Sequence, residues 1–314
     1  MILGDEKIKE LITRLEEEIK VTKKDAYDAD SLYRLKEIAQ QYKGDDEIIS
    51  SQELVAEIKT RPEEFKMFSG IPKLDEILKG FRLNQLVVLA APTKHGKTSF
   101  SMFLTRKLKE YNPLWFPFEQ GADELIEISL ERGQEPPQFY LPRKNTPYLT
   151  SWLEERIIEG IVKYNTKIIF IDHLHFIVPF TAHRYDLEVG KVMRELKSIA
   201  KRWGVCIVVI AHLKKTNNDT NPDMEDLRDS SFVAQEADTV MFIWRKTTKE
   251  HGETIIGNEV NLSIQANRRT GKTGNIKMIY DYQTGNYDEK EWRDLEEINK
   301  TFYGSETSRT PEIF

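Results

Sequence analysis

Gly96, Lys97 and Thr98 close the run Ala91-Pro-Thr-Lys-His-Gly-Lys-Thr98, and their types and spacing suit phosphate chemistry. The run follows an apolar segment, Leu86–Ala90, that reads as a buried strand, and precedes Ser99–Leu108, which reads as a helix. A strand, a tight loop ending in Gly-Lys-Thr and a helix form the context of a P-loop. Backbone N–H groups at a helix start favour phosphate, and the Lys97 ammonium adds a point charge toward the outer phosphates. The Thr98 hydroxyl is suited to hold Mg²⁺. Ala91, Pro92, Thr93, Lys94, His95, Gly96, Lys97, Thr98 and Ser99 are therefore the expected nucleotide-binding residues, with a nucleotide's phosphates and Mg²⁺ as the expected ligands. One departure is that Ala91 stands where the pattern has its first glycine. Alanine fits there if the position needs no positive φ.

A second carboxylate signal lies downstream. Lys167-Ile-Ile-Phe-Ile-Asp172 is an apolar strand ending in an aspartate. Beside a P-loop, such an Asp orients Mg²⁺ and its water shell, although an Asp at a strand end is often only a turn residue. Glu119 follows another expected strand, Pro113–Phe118. A carboxylate at the C-terminal end of a strand neighbouring the P-loop can activate water. Spacing alone leaves Glu119 open between that role and a solvated helix start. His212 ends the strand Val205–Ala211, where a polar side chain can touch the terminal phosphate.

Two polar loops follow strand ends, the place where open sheets bind ligands. Residues 178–187 contain His183, Arg184 and Tyr185, and residues 214–231 contain Lys214, Lys215 and Arg228. Such loops suit a groove that tracks a nucleic-acid backbone, and ordinary solvated loops have the same composition. Arg268 and Arg269 occupy a turn between two expected edge strands. An arginine there could reach the nucleotide of another subunit, or be a plain surface residue.

These groups need a scaffold. From Phe68 onward, short apolar runs alternate with helical stretches at Lys97–Glu110, Ala122–Arg132, Leu149–Tyr164 and Leu187–Arg202. The runs are Leu86–Ala90, Pro113–Phe118, Ile168–Ile171, Val205–Ala211 and Thr239–Trp244. The pattern predicts an α/β fold with a mostly parallel sheet and helices on both faces. Val260–Ala266 and Asn275–Tyr282 read as antiparallel edge strands. Residues 1–66 differ: rich in Lys and Glu, they predict helices around Ile8–Ile19 and Ser31–Tyr42. Ser50 and Glu53 form a capping-box pattern opening a helix over 52–59. A region of roughly 60 residues is marginal as an independent core, which favours packing on a neighbour. The division expected is a helical N-terminal region, an ATPase domain over 67–290 and a tail over 291–314.

Bulk composition narrows the class. The 314 residues are 39% apolar and 31% charged, with net charge −6. That argues against a wholly basic coat for nucleic acid while leaving a local basic strip open. One cysteine, Cys206, permits no disulfide within the chain, and no apolar run approaches the ~20 residues of a membrane span. A reducing, cytoplasmic setting is expected.

Together these pieces resemble the RecA-like helicase domain of the hexameric replicative helicases, the DnaB, Twinkle and phage T7 gene 4 group, over roughly Gly70 to Gln283. Gly70-Ile-Pro-Lys-Leu-Asp75 and Gly80 look like the segment leading into that domain. Ala91–Ser99 looks like the family P-loop, with the initial alanine usual in the DnaB branch. Phe118-Glu119 looks like the strand end bearing the catalytic glutamate. Ile171-Asp-His-Leu174 and Ala211-His-Leu-Lys214 look closest to the T7 form, in which the histidine senses phosphate. Asp226-Leu-Arg-Asp-Ser-Ser231 followed by Ala237-Asp-Thr239 is similar to the second DNA-binding loop and its strand. Asn267-Arg-Arg-Thr-Gly-Lys-Thr-Gly274 resembles the arginine-finger turn. Twinkle and T7 spacing selects Arg268, and DnaB spacing selects Arg269. The family lysine two residues before the finger is absent in both alignments. Arg245 and Tyr280 match positions that sandwich adenine in the T7-type enzymes.

The resemblance implies a ring-forming, ATP-driven helicase. It would translocate 5′→3′ on single-stranded DNA and unwind forked duplex as a homo-oligomer, a hexamer by analogy. Primase, polymerase or loader would be partners, and a membrane would not. Among the catalytic residues, it assigns Lys97, Glu119, His212 and Arg268; to the metal, Thr98 and Asp172; and to DNA, Lys214, Lys215, Arg228 and Arg184. The competing class is a RecA-like DNA-binding ATPase that does not unwind, such as a recombinase or a filament-forming regulator. A third is a regulatory ATPase of the circadian-clock type, which the polar loop 214–231 counts against.

Overall fold

The computed structural model describes residues 13, 49–60, 63–133, 135–145, 150–178, 185–213, 222–227, 230–250 and 253–289. The chain divides into two compact units, Met1–Glu63 and Glu64–Phe314. In the first, helix α1 spans Ser51–Thr60. Its capping box forms as the sequence predicts: Glu53 N donates to Ser50 Oγ at 3.2 Å and Ser50 N donates to Glu53 Oε2 at 2.7 Å. The helices expected near Ile8–Ile19 and Ser31–Tyr42 lie outside the described residues, apart from Thr13, which is helical.

The second unit carries the sheet. Its elements are β1 (Lys66–Met67), α2 (Pro72–Leu78), β2 (Phe81–Arg82), β3 (Gln85–Ala91), α3 (Lys97–Lys107), β4 (Leu114–Pro117), α4 (Ala122–Glu131), α5 (Thr150–Tyr164), β5 (Ile168–Asp172), α6 (Tyr185–Trp203), β6 (Cys206–His212), α7 (Ser230–Glu236), β7 (Thr239–Glu250), β8 (Glu253–Asn267), β9 (Gly274–Tyr280) and β10 (Tyr287–Glu289). Strands β1 and β2 form a small antiparallel pair of their own. The main sheet runs β10-β9-β8-β7-β3-β6-β5-β4. Pairings from β7 to β4 are parallel, and those from β7 to β10 are antiparallel.

Near-continuous apolar runs become the central strands because both faces of a parallel sheet are covered. Period-2 alternation then splits each strand between two cores. Val87 and Leu89 of β3 and Val208 and Ile210 of β6 pack with Phe100 and Leu104 of α3 on one face. Leu86, Val88, Ile207 and Val209 pack with Leu153 and Ile157 of α5 and Leu196 and Ile199 of α6 on the other.

Three expectations are corrected here. Strand β8 is interior, between β7 and β9, so Val260–Ala266 is not an edge strand. Strand β9 is flanked by β10 and β8, so Asn275–Tyr282 is not an edge strand either; β10 takes the edge, and its three residues are too short to stand out in sequence. The strand before Glu119 does not neighbour the P-loop strand: β4 is the far edge, separated from β3 by β6 and β5. Parallel connections return each strand in the same direction, so all these C-terminal ends still meet at one rim.

Candidate active site

Strand β3 ends at Ala91, and the loop after it turns into α3 through Gly96, whose φ of 91° is left-handed. Gly96 needs that freedom, because a Cβ there would also lie 2.9 Å from Tyr287 Oη. Ala91 by contrast is the last strand residue and is not among the residues with positive φ. The pattern's first glycine is dispensable because extended backbone accepts a Cβ. Phe100 N donates to Gly96 O at 2.9 Å, the first i to i−4 bond of α3. The N–H groups of Lys97, Thr98 and Ser99 thus have no acceptor within the helix, which makes this turn a ready anion site.

Lys97 is 6% exposed. Burial lowers the pKa of its ammonium, while Glu119 and Asp172 oppose that shift. Its Nζ lies 3.1 Å from His212 Nδ1. Thr98 Oγ1 donates to Asp172 Oδ2 at 2.8 Å. The second oxygen of that carboxylate, Oδ1, is buried with no hydrogen-bond partner. Burial pushes the Asp172 carboxyl up to about 6, against the pull of Thr98. A buried, half-satisfied carboxylate beside a hydroxyl is the donor set of a hard divalent cation, and the pair fits Mg²⁺.

Glu119 reaches the same rim from the far strand. Phe118 N and Glu119 N both donate to Asp172 O, at 2.6 and 3.0 Å, which locks the end of β4 to the end of β5. Glu119 Oε2 then lies 3.6 Å from His212 Nε2 and 3.6 Å from His173 Nε2. Sequence alone does not single out His173; its only signal is that it follows Asp172.

On the other side of the loop, Arg245 N donates to His95 Nδ1 at 3.1 Å. Burial, helped by Arg245 and Lys97, lowers the pKa of His95. Arg245 lies directly over Tyr280, with Cζ 4.9 Å from the ring centroid, so no base fits between the two. Tyr280 is only 4% exposed and accepts from Arg132 Nη2 at 2.8 Å, so it is a packed support rather than an open platform. Tyr282, also over Arg245 at 4.7 Å, is 53% exposed and is the ring a base could cover. Its place after the end of β9 gives no distinguishing signal in sequence.

Arg268 and Arg269 sit elsewhere. Asn267, at the end of β8, pairs with Thr239, and Thr239 pairs with Val87 near the start of β3. Arg268 N donates to Asp238 O at 2.8 Å, and Leu86 N donates to Asp238 Oδ2 at 2.7 Å. The arginine turn therefore lies at the opposite end of the sheet from the P-loop, with about 16 Å of strand β3 between the two ends. Arg268 Nη2 is hydrogen-bonded to Gln235 O, and Arg269 Nη2 to Glu64 Oε2 at 2.6 Å. Glu64 also pairs with Arg82. Arg184, Lys214, Lys215 and Arg228 lie outside the described residues.

Residues 148–289 match the model of the DnaB-like helicase C-terminal domain. The replicative DNA helicase DnaB of Rickettsia typhi is 26% identical over 294 residues, covering 74% of this chain and 59% of that protein. The protein of the same name from Mycoplasma pneumoniae is 28% identical over 266 residues, covering 69% of this chain and 54% of that protein. The chain thus spans somewhat over half the length of these relatives. Among solved structures, a DnaB-like replicative helicase superposes with TM-score 0.63 at 18% identity, over 92% of this chain and 77% of that one. A second solved structure, an isolated ATPase domain, superposes with TM-score 0.64 at 19% identity, over 78% of this chain and all of that domain. Both share the α/β fold whose rim here carries Lys97, Thr98, Asp172 and Glu119, and over residues 148–289 the chain is similar to the C-terminal domain of DnaB-like helicases.

Proposed function

We propose that this chain is an ATP-dependent replicative DNA helicase that forms a ring, a hexamer, and unwinds forked duplex while moving 5′→3′ on one strand. The observation that carries the reading is the convergence of Lys97, Thr98, Asp172, Glu119 and His212 on one rim of the sheet. Lys97 and the first turn of α3 bind the phosphates. Thr98 and Asp172 hold Mg²⁺ through hydroxyl and carboxylate oxygens. An ion held there would supply positive charge to offset the charge of the phosphates. Glu119 takes a proton from the attacking water. His212, beside both Lys97 and Glu119, senses the terminal phosphate. The exposed face of Tyr282, backed by Arg245, would stack the base.

Arg268 and Arg269 lie too far from their own P-loop to act there, which supports an arginine supplied to the neighbouring subunit's nucleotide. Arg268 is the better candidate. Its guanidinium is held by a backbone carbonyl, whereas Arg269 is bound in an ion-pair network with Glu64 and Arg82. Helix α1 is the proposed linker that docks on the next subunit. Lys214, Lys215, Arg228 and Arg184 would contact DNA phosphates, and primase, polymerase or loader would act with the ring.

Strand displacement on a forked duplex, with ATP and with Lys97→Ala as control, tests the reading. Unwinding that needs ATP and Lys97 is the expected result. ATP turnover stimulated by single-stranded DNA, with no displacement from assembled rings, would favour the non-unwinding ATPase.

A further inference from the structure

The carboxylate of Glu119 is met by two imidazoles. His173 Nε2 and His212 Nε2 each lie 3.6 Å from Glu119 Oε2, and one ligand atom from each of the three residues lies within 4.8 Å of the others. The two rings are T-shaped at 4.4 Å between centroids. We infer that Glu119, His173 and His212 form a binding site for a borderline-soft divalent ion such as Zn²⁺, distinct from the Mg²⁺ pair, and that filling it arrests ATP turnover.

The donor set carries the distinction. Thr98 and Asp172 offer only oxygens, as Mg²⁺ prefers. Two imidazoles and one carboxylate make the protein donor set of an open zinc site. Tetrahedral zinc with bonds of about 2.0–2.2 Å needs ligand atoms about 3.4 Å apart. Two of the three edges are within a few tenths of an ångström of that, and the third is no longer than 4.8 Å.

The scaffold and access also fit. The ligands come from the C-terminal ends of β4, β5 and β6, consecutive in the sheet. The hydrogen bonds from Phe118 N and Glu119 N to Asp172 O hold two of those ends in register. The side chain of Glu119 is 37% exposed, against 10% for His173 and 18% for His212, so the site opens on the carboxylate side.

Loading has a proton requirement. A protonated Lys97 donating to His212 Nδ1 leaves the imidazole proton on Nε2. Metal binding at Nε2 needs that proton on Nδ1 and Lys97 turned away. The bound ion would then occupy the carboxylate that activates water and the histidine beside the terminal phosphate. This last step rests on the roles proposed above for Glu119 and His212; metal binding itself does not.

Isothermal titration of the nucleotide-free chain with ZnCl₂ in excess Mg²⁺, and Co²⁺ ligand-field absorption, test the site directly. Micromolar or tighter Zn²⁺ binding is expected. His173→Asn and His212→Asn, checked by circular dichroism, should each weaken it by at least ~10-fold, and His175→Asn should not. His175 is the apt control because its ring is only 5.3 Å from His173. No Zn²⁺ binding, unchanged binding in His173→Asn, or loss on His175→Asn instead would overturn the assignment. In ATPase assays Zn²⁺ should inhibit the wild type at concentrations at least ~10-fold below those that inhibit His173→Asn. Binding without inhibition would overturn the arrest. Absence of any ATPase activity in metal-free protein would count against the function proposed above while leaving the binding result intact.

Discussion

Thr98 donates its hydroxyl proton to Asp172 Oδ2 over 2.8 Å, joining a helix start to a strand end 74 residues away in the chain. Only one oxygen of the carboxylate is used; Oδ1 is buried without a partner. Leaving a buried carboxylate oxygen unsatisfied costs stability unless a cation or water takes it up. The contact therefore ties the architecture of the site to the metal expected there.

Lys97→Ala and Asp172→Ala should each abolish ATP turnover while the far-ultraviolet circular dichroism of the chain is retained. In the proposed mechanism Lys97 neutralises phosphate charge and Asp172 orients the metal shell. Wild-type turnover in either purified variant would remove the assigned site.

Glu119→Gln should leave nucleotide affinity near the wild-type value and slow hydrolysis by at least ~10²-fold, the usual worth of a positioned base. Fluorescent-nucleotide titration and single-turnover kinetics separate the two quantities. If affinity and rate fall together, Glu119 serves binding or folding instead.

The arginine turn is tested by mixing subunits. A finger supplied in trans is worth ~10³ or more in rate. Arg268→Ala and Lys97→Ala subunits, each inactive alone, should regain part of the ATPase activity when native mass spectrometry shows mixed rings. The regained activity comes from interfaces that keep both groups intact. Arg269→Ala should show the smaller loss alone and the weaker rescue. The reverse ranking would select Arg269.

Cys206 is fully buried in β6, and burial pushes its thiol well above the usual range. As the only cysteine, it should resist a water-soluble thiol reagent in the native protein and react completely in denaturant. Fast labelling of the native chain would mean that the β3–β6 region opens readily.

Much of this site is local in sequence. The Gly-Lys-Thr run between an apolar strand and a helix, and the aspartate ending Ile168–Asp172, point to the proposed phosphate and metal chemistry from neighbouring residues. Short-range periodicity likewise marks β3, β5, β6 and the helices between them, because burial on both faces demands unbroken apolar runs. The capping box at Ser50 and Glu53 is legible for the same reason, since its partners are three residues apart.

Strand order is not local, and everything that depends on it came from the fold. Sequence placed Glu119 on a strand beside the P-loop. The sheet puts β4 at the far edge and brings Glu119 to His212 through the shared direction of parallel strands. His173 became visible only through its approach to that carboxylate. Tyr282, rather than Tyr280, faces outward over Arg245 because packing against Tyr287 and Arg132 consumes the Tyr280 ring. The distance between the arginine turn and the P-loop follows from the antiparallel register of β7 and β8, which a chain read residue by residue does not contain. Chemistry-bearing types can be recognised one segment at a time; which of them share a site depends on long-range pairing and on which face each side chain buries.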